Sequence, residues 1–185
     1  MKYILASKSP RRRELLGKIV DDFEIIVKEV DETLPEGMHP RDGVVLLAEK
    51  KGEAVAKENE DAVVISSDTL VELDGIPLGK PTDEADAKRM LRTLSARTHS
   101  VHTGVAVHYM GKCLSGRDTA HVTFRPLTDK DVDDYVATGD PMDKAGAYGI
   151  QSLGRGLVEG YDGNFDAIVG LSLSLTERLI KEIIG

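Results

Sequence analysis

KYILASKSPRRRELLGKI, residues 2–19, sets the grammar of the chain. Residues 3–7 read as a short apolar strand, and residues 10–20 as a helix whose Leu15, Leu16 and Ile19 fall on one face at helical spacing. Residues 23–30 read as a second strand, so the chain opens strand, helix, strand, which is α/β grammar. Ser9 suits the helix cap and Pro10 its first position, where no backbone N–H is needed. Arg11, Arg12 and Arg13 then occupy the first turn, beside free amides and the positive end of the helix dipole, where each cation is disfavoured by roughly 0.3–1 kcal/mol. A cluster placed against local physics implies an anion. Hydroxyls from Ser7 and Ser9, the helix start and the guanidinium groups make a candidate phosphate receptor, the alternative being a solvated basic face.

The 185 residues suit one domain or two tightly joined lobes with a real core. Lys and Arg total 24 against 32 Asp and Glu, a net charge of −8, which argues against a nucleic-acid polymer as partner and leaves a small phosphorylated ligand held by a local basic cluster. The single cysteine, Cys113, cannot form an internal disulfide and has no His or second Cys at metal-ligand spacing, so it reads as a small core or hairpin residue. No secretory leader is recognised, and no apolar run approaches the roughly 20 residues that span a bilayer. The expectation is a soluble cytoplasmic protein without a membrane partner.

Further along, a helix from about Pro40 to Lys57 carries Val44, Leu47, Ala48, Ala54 and Val55 as its apolar stripe. Lys51 lies on that stripe, either snorkelling to the surface or aiming its ammonium at phosphate oxygens. Gly52, mid-helix, costs about 1 kcal/mol relative to alanine and has no explanation in the sequence. Ala62–Ile65 is a continuous apolar run, read as a doubly buried strand that ends at Ser66-Ser67-Asp68-Thr69. Ligands of α/β sheets gather at the carboxyl ends of strands, which makes Asp68 a candidate catalytic carboxylate. Leu70–Leu73 and Ile76–Leu78 flank Asp74-Gly75 as a hairpin that delivers Gly79-Lys80-Pro81. A helix over 83–95 follows, then long strands over 98–109 and 113–125 that form a hairpin suited to a second lobe or a dimer surface, and a short acidic helix over 129–138. Thr138–Gln151 has no period and reads as a site loop, while 163–170 leads into a C-terminal helix with Leu175, Leu179, Ile180 and Ile183 inward. His39, His99, His102, His108 and His121 are assigned to surface or cross-strand packing, with no catalytic role.

Taken together, LASKSPRRRELL (5–16), LAEKKGEAVA (47–56), SSDTLVELDGIPLGKP (66–81), LSARTHSVHTGVAV (94–107), DPMDKAGAYGIQ (140–151) and GNFDAIVGLSL (163–173) resemble the Maf family of nucleotide pyrophosphatases almost from end to end. The resemblance implies one Maf/ITPase-like α/β domain over 1–185, a two-lobed mixed sheet flanked by helices around a deep central cleft, in a family that is often homodimeric. It further implies hydrolysis of nucleoside triphosphates to monophosphate and pyrophosphate with a divalent cation, Mg²⁺ or Mn²⁺. Carried over residue by residue, it makes Asp68 the proton acceptor, Ser9, Arg12, Lys51, Lys80 and Lys144 phosphate-side groups, and Glu32, with Asp68, a metal-side carboxylate. Arg11, Thr69 and Gln151 resemble the pattern of the branch that acts on dTTP and UTP, whereas the branch acting on 7-methyl-GTP typically shows tryptophan, glutamine and glutamate there. Gly52, where the family usually has alanine, and Ser172, where proline is common, depart from the pattern.

Cleavage between the α and β phosphates needs an activated water, neutralised phosphate oxygens and a stabilised leaving group. Asp68 suits direct proton removal or a metal that lowers the water's pKa, two roles that the sequence does not separate. Gln151 offers a donor and acceptors that match a thymine or uracil edge, or else satisfies its own loop, and Thr69 is equally suited to a structural hydroxyl. The expected activity is a pyrophosphatase preferring dTTP and UTP, extending to modified pyrimidine nucleotides. The rivals are a 7-methyl-GTP preference and a non-catalytic nucleotide-binding regulator of septum formation and cell division.

Overall fold

The structure, a computed structural model, describes residues 1–185. One strand of 12 residues, Ala62–Leu73 (β3), carries the apolar run straight through Ser66-Ser67-Asp68-Thr69. The strand end expected after Ile65 is therefore corrected, and pairing supplies the reason. The first residues of β3 lie parallel to Lys2–Leu5 (β1), in register from Lys2↔Ala62 to Leu5↔Ile65. From Val64 to Glu72 the strand also runs antiparallel to Thr98–Tyr109 (β5), which supports its backbone after β1 has stopped. On the opposite edge Ile76–Leu78 (β4) takes over only at Val71↔Leu78, so Ser66–Leu70 has no strand partner there. That gap in the sheet edge positions the candidate site.

The mixed sheet has the order β2-β1-β3-β5-β6-β7, with β4 beside β3; here β2 is Glu24–Ile25, β6 is Lys112–Phe124 and β7 is Val158–Asp162. Both tight hairpins form as the sequence predicts, with Asp74 and Gly75 at φ 53° and 79° and Met110 and Gly111 at 49° and 74°, the left-handed pairs that match strand twist. β2 is shorter than the expected 23–30 because β1, its only partner, leaves the sheet after Leu5. The first helix, α1 (Pro10–Leu16), stops at Gly17 rather than running to residue 20. β7 and the short helix α5 (Phe165–Val169) are additions to the sequence reading; β7 holds a glycine and pairs across a bulge at Thr123/Phe124, so its periodicity is weak.

Side chains alternate across β3. Ser66 and Asp68 face α2 (Pro40–Ala56), the hydroxyl of Ser66 donating to the Ala48 carbonyl at 2.6 Å, while Ser67 and Thr69 face the opposite side, where Ser67 donates to the Gly170 carbonyl at 2.9 Å. α2 lies close against the sheet because Gly104 lacks a Cβ, which would collide with the Val44 backbone. Gly52 has the same function: a Cβ there would stand 2.5 Å from His108 Nδ1 and 2.6 Å from Ser66 Oγ. Contacts from two strands account for the residue that the sequence left unexplained.

The larger core packs the other face of the sheet against α3 (Glu84–Leu94), α4 (Asp129–Ala137) and α6 (Leu173–Ile184), with Leu91, Leu94, Phe124 and Leu171 fully buried. A smaller apolar group of Ile4, Ala6, Val55, Ala62 and Val64 seats the end of α2. Residues 138–157 are irregular, as expected, and hold three 3-10 turns at Asp140–Asp143, Ala145–Ala147 and Leu153–Leu157. His99, His102 and His108 are buried rather than at the surface, and Cys113 is exposed beside the β5–β6 turn. No helix is long and apolar enough to cross a membrane.

Candidate functional site

Asp68 sits mid-strand at the open edge of β3, not at a strand end, and its carboxylate meets α2. Lys51, one turn after Leu47 on the buried stripe, places Nζ 2.6 Å from Asp68 Oδ1 and 3.2 Å from Glu32 Oε1. Its ammonium therefore does not snorkel freely to the surface but pairs with two carboxylates at the hollow it borders. Glu32 comes from the irregular segment between β2 and α2 and is largely exposed, whereas Asp68 is almost covered. Two carboxylates from distant parts of the chain therefore converge on one cationic point. This all-oxygen donor pair fits a hard divalent cation such as Mg²⁺ or Mn²⁺.

Arg12 occupies the gap from the other direction. Its Nε donates to the Gly170 carbonyl at 2.9 Å, Nη1 to Ser7 Oγ at 3.3 Å and Nη2 to Thr69 Oγ1 at 3.2 Å, so one planar fork ties α1, β3 and the end of α5 together. Burial works against the Arg12 charge, and Asp68 offsets part of that effect. Ser9 caps α1 through the Arg12 amide at 3.4 Å, and its own N–H donates to Ser7 Oγ at 3.2 Å. Since α1 has only seven residues, the positive potential here comes from the guanidinium groups more than from aligned peptide dipoles. Arg11 pairs with Asp143 at 3.1 Å, and Arg13 is exposed and turned away from the cluster. Lys80 is exposed with no hydrogen bond or ion pair, a free cation beside the same gap.

The loop after α4 is built around Asp140. Tyr135 and Ser152 hydroxyls donate to Asp140 Oδ2 at 2.6 and 2.8 Å, and Lys144 Nζ reaches the Asp140 carbonyl at 2.7 Å, Asp140 Oδ1 at 3.0 Å and Asp143 Oδ1 at 2.9 Å. Those contacts occupy all three Lys144 donors. The loop is anchored to the sheet where Tyr148 OH lies 2.7 Å from His99 Nε2, with both rings edge-on to Phe124. Burial pulls His99 down to about 4, so the ring is neutral at pH 7, and burial pushes the Tyr148 hydroxyl well above its usual range. The sequence marks 138–151, with Asp140, Asp143 and Tyr148 in it, as a site loop but gives those residues no role of their own, and nothing local to Tyr135 or His99 flags them.

Two adjoining hollows result. One is lined by Glu32, Lys51, Lys80, Arg11 and Arg12; the other, partly apolar, is lined by Thr69, Val71, Lys144, Ile150 and Gln151. Ser9, Arg11, Arg12 and Lys80 border both. Gln151 is exposed and makes no side-chain hydrogen bond within the chain, while Thr69 Oγ1 is shared with Thr103 Oγ1 at 3.0 Å. Ser9, Arg11, Arg12, Glu32, Lys51, Thr69, Lys80, Lys144 and Gln151 each border one of these hollows, whereas Asp68 reaches the first only through Lys51 and Arg13 borders neither.

A family model described as Maf-like protein matches residues 2–183. The dTTP/UTP pyrophosphatase of Bacillus velezensis is 48% identical over 179 residues, covering 97% of this chain and 95% of that protein. Relatives of the same name from Bacillus cereus (strain AH820) and Bacillus cytotoxicus are 46% and 44% identical, each over 98% of this chain and 94% of theirs. Among solved structures, the Staphylococcus aureus Ham1 protein aligns with a TM-score of 0.54 at 16% identity, covering 100% of this chain and 96% of that one, a likeness of fold alone.

Proposed function

Since the chain belongs to the Maf-like family, we propose that it hydrolyses nucleoside triphosphates, dTTP and UTP by preference, to the monophosphate and pyrophosphate. The observation that carries this reading is the pair of adjoining hollows with a shared basic rim: a triphosphate lies across Lys80, Arg11 and Arg12, and the base enters the side that holds Thr69 and Gln151. The amide of Gln151 presents both a donor and an acceptor to a pyrimidine edge, and a mismatched buried edge leaves polar groups unpaired at about 1–3 kcal/mol each.

Water attacks the α-phosphorus, its oxygen forms the new bond, and the bridging oxygen leaves with the pyrophosphate. Asp68 takes the proton. Lys51, already between Asp68 and Glu32, is within reach of phosphate oxygens that develop charge, and Arg12 holds the edge of β3 in place. Lys144 faces the second hollow and meets phosphate only by releasing exposed Asp143, so its first role is to hold the loop. Glu32 and Asp68 would hold the divalent cation, Mg²⁺ or Mn²⁺, which supplies charge neutralisation and a more acidic water when bound. A cytoplasmic location accords with the substrate, and the β5–β6 hairpin is the surface proposed for a homodimer.

The test is pyrophosphate release from a panel of canonical, modified and 7-methylated nucleoside triphosphates with Mg²⁺ or Mn²⁺. Turnover greatest with dTTP and UTP is the expected result. Measurable nucleotide binding with no release from any member of the panel would favour a non-catalytic regulator.

A further inference from the structure

On the α2 face of the sheet, His102 of β5 and Glu72 of β3 meet the residue that caps α2, His39. His102 Nε2 lies 2.6 Å from Glu72 Oε2, and His39 Nε2 lies 3.7 Å from the same oxygen. One ligand-type atom from each residue falls within 4.8 Å of the others, and the two imidazoles stand nearly edge to face at 75°. We propose that His39, Glu72 and His102 form a transition-metal site, distinct from the oxygen pair of Glu32 and Asp68.

The atoms behind these three are already engaged, which aims the remaining ones inward. Glu72 Oε1 accepts the Gly75 N–H of the hairpin turn at 3.1 Å, leaving Oε2 for the histidines. His102 Nδ1 is held by Thr119 Oγ1 at 2.8 Å, an outer contact of the kind that orients a metal-binding imidazole. His39 Nδ1 accepts the Arg41 N–H at 3.3 Å, which turns Nε2 toward the cluster. Two imidazole nitrogens and one carboxylate suit Zn²⁺, Ni²⁺ or Co²⁺ and not Mg²⁺, whose preference is for oxygen. His102 and Glu72 are nearly covered and His39 is partly exposed, so the ion has an entry side open to solvent.

Binding has a defined structural consequence. The metal replaces the proton shared by His102 and Glu72 and spreads them, because ligands of a zinc ion at about 2.0–2.1 Å stand farther apart than 2.6 Å. Coordination through His39 Nε2 leaves the ring proton on Nδ1 and so ends the cap to Arg41. The ion then fastens the start of α2 to β3 and β5 in place of that cap. Asp68 and Glu72 lie on the same face of β3 but four residues apart, about 13 Å at 3.3 Å per residue, so one ion cannot serve both places.

The experiment is titration of Zn²⁺ into the chelator-treated full chain by calorimetry, with visible absorption of the Co²⁺ form as a ligand-type readout. His39→Asn is the informative variant, since asparagine keeps a capping acceptor and removes the imidazole. Binding of one Zn²⁺ is expected in the wild type and in Asp68→Asn, with affinity at least tenfold weaker once His39→Asn is added to either. The proposal is overturned by no Zn²⁺ binding in the wild type, by affinity that His39→Asn leaves unchanged, or by a site that vanishes in Asp68→Asn.

Discussion

Lys51 Nζ lies 2.6 Å from Asp68 Oδ1, joining the middle of α2 to the unpaired edge of β3. Both side chains are largely withdrawn from water, and Glu32 alone of the cluster remains mostly exposed. A cation between two carboxylates is the arrangement that a divalent ion and a triphosphate can rearrange without creating an unpaired charge.

Asp68→Asn should therefore abolish turnover with little effect on nucleotide affinity. Removing a general base typically costs about 10²–10⁴-fold in rate. Single-turnover pyrophosphate release beside equilibrium binding of dTTP is the check, and retained turnover would remove Asp68 from the chemistry.

Arg12→Lys tests the fork. A lysine ammonium cannot span Gly170, Ser7 and Thr69 together, but the Gly170 carbonyl keeps its bond from Ser67, so stability should fall by only about 1 kcal/mol. The larger loss is expected in catalysis, where one lost charge-assisted hydrogen bond of roughly 1.5–3 kcal/mol lowers kcat/KM about tenfold or more. Thermal melts and steady-state kinetics separate the two effects.

The His99–Tyr148 anchor predicts a pH dependence of stability. His99 is held at about 4 by burial against an ordinary value of 6.5, and its Nδ1 has no partner. Between those values the unfolded chain binds a proton that the folded chain does not, so stability rises with pH and falls on acidification. The loss approaches the order of 3 kcal/mol by pH 4. His108, lowered for the same reason, adds to the slope. Urea unfolding from pH 7 to 4 should show it, and His99→Gln should flatten part of it.

What the sequence could and could not express is clearest at Asp68 and Gly52. The polar cluster after an apolar run marked Asp68 as unusual, yet its mid-strand position depends on β5, whose pairing carries the strand onward after β1 ends. Hairpins and amphipathic helices were legible because turn chemistry and periodicity are local. The partners of Lys51 and Lys144, the Tyr135–Asp140 knot and the strand β7 arise from contacts between distant segments, which periodicity does not encode.

Gly52→Ala makes that point measurable. Helix propensity favours alanine by about 1 kcal/mol, but the new methyl meets His108 and Ser66, and overpacking of this kind costs roughly 1–3 kcal/mol. The melting temperature should therefore fall. Combining Gly52→Ala with His108→Val should recover stability beyond the sum of the single changes, and additivity would place the strain elsewhere.

Base preference offers the sharpest separation of the family's branches. Arg11 is tied to Asp143, Thr69 lies between Arg12 and Thr103, and Gln151 borders the partly apolar hollow with no partner of its own. Glutamate at 151 has acceptors only, which opposes the carbonyl-rich edge of thymine or uracil and suits the N–H groups of guanine. Tryptophan at 11 adds a ring face for the cationic 7-methylguanine, an attraction of roughly 0.5–2 kcal/mol, at the cost of the exposed Asp143 pair. The combined Arg11→Trp, Thr69→Gln and Gln151→Glu variant should shift the ratio of kcat/KM for 7-methyl-GTP over dTTP upward by about 100-fold, since two such interactions of about 1.4 kcal/mol each multiply to that factor. If dTTP preference survives the exchange intact, these three residues do not read the base.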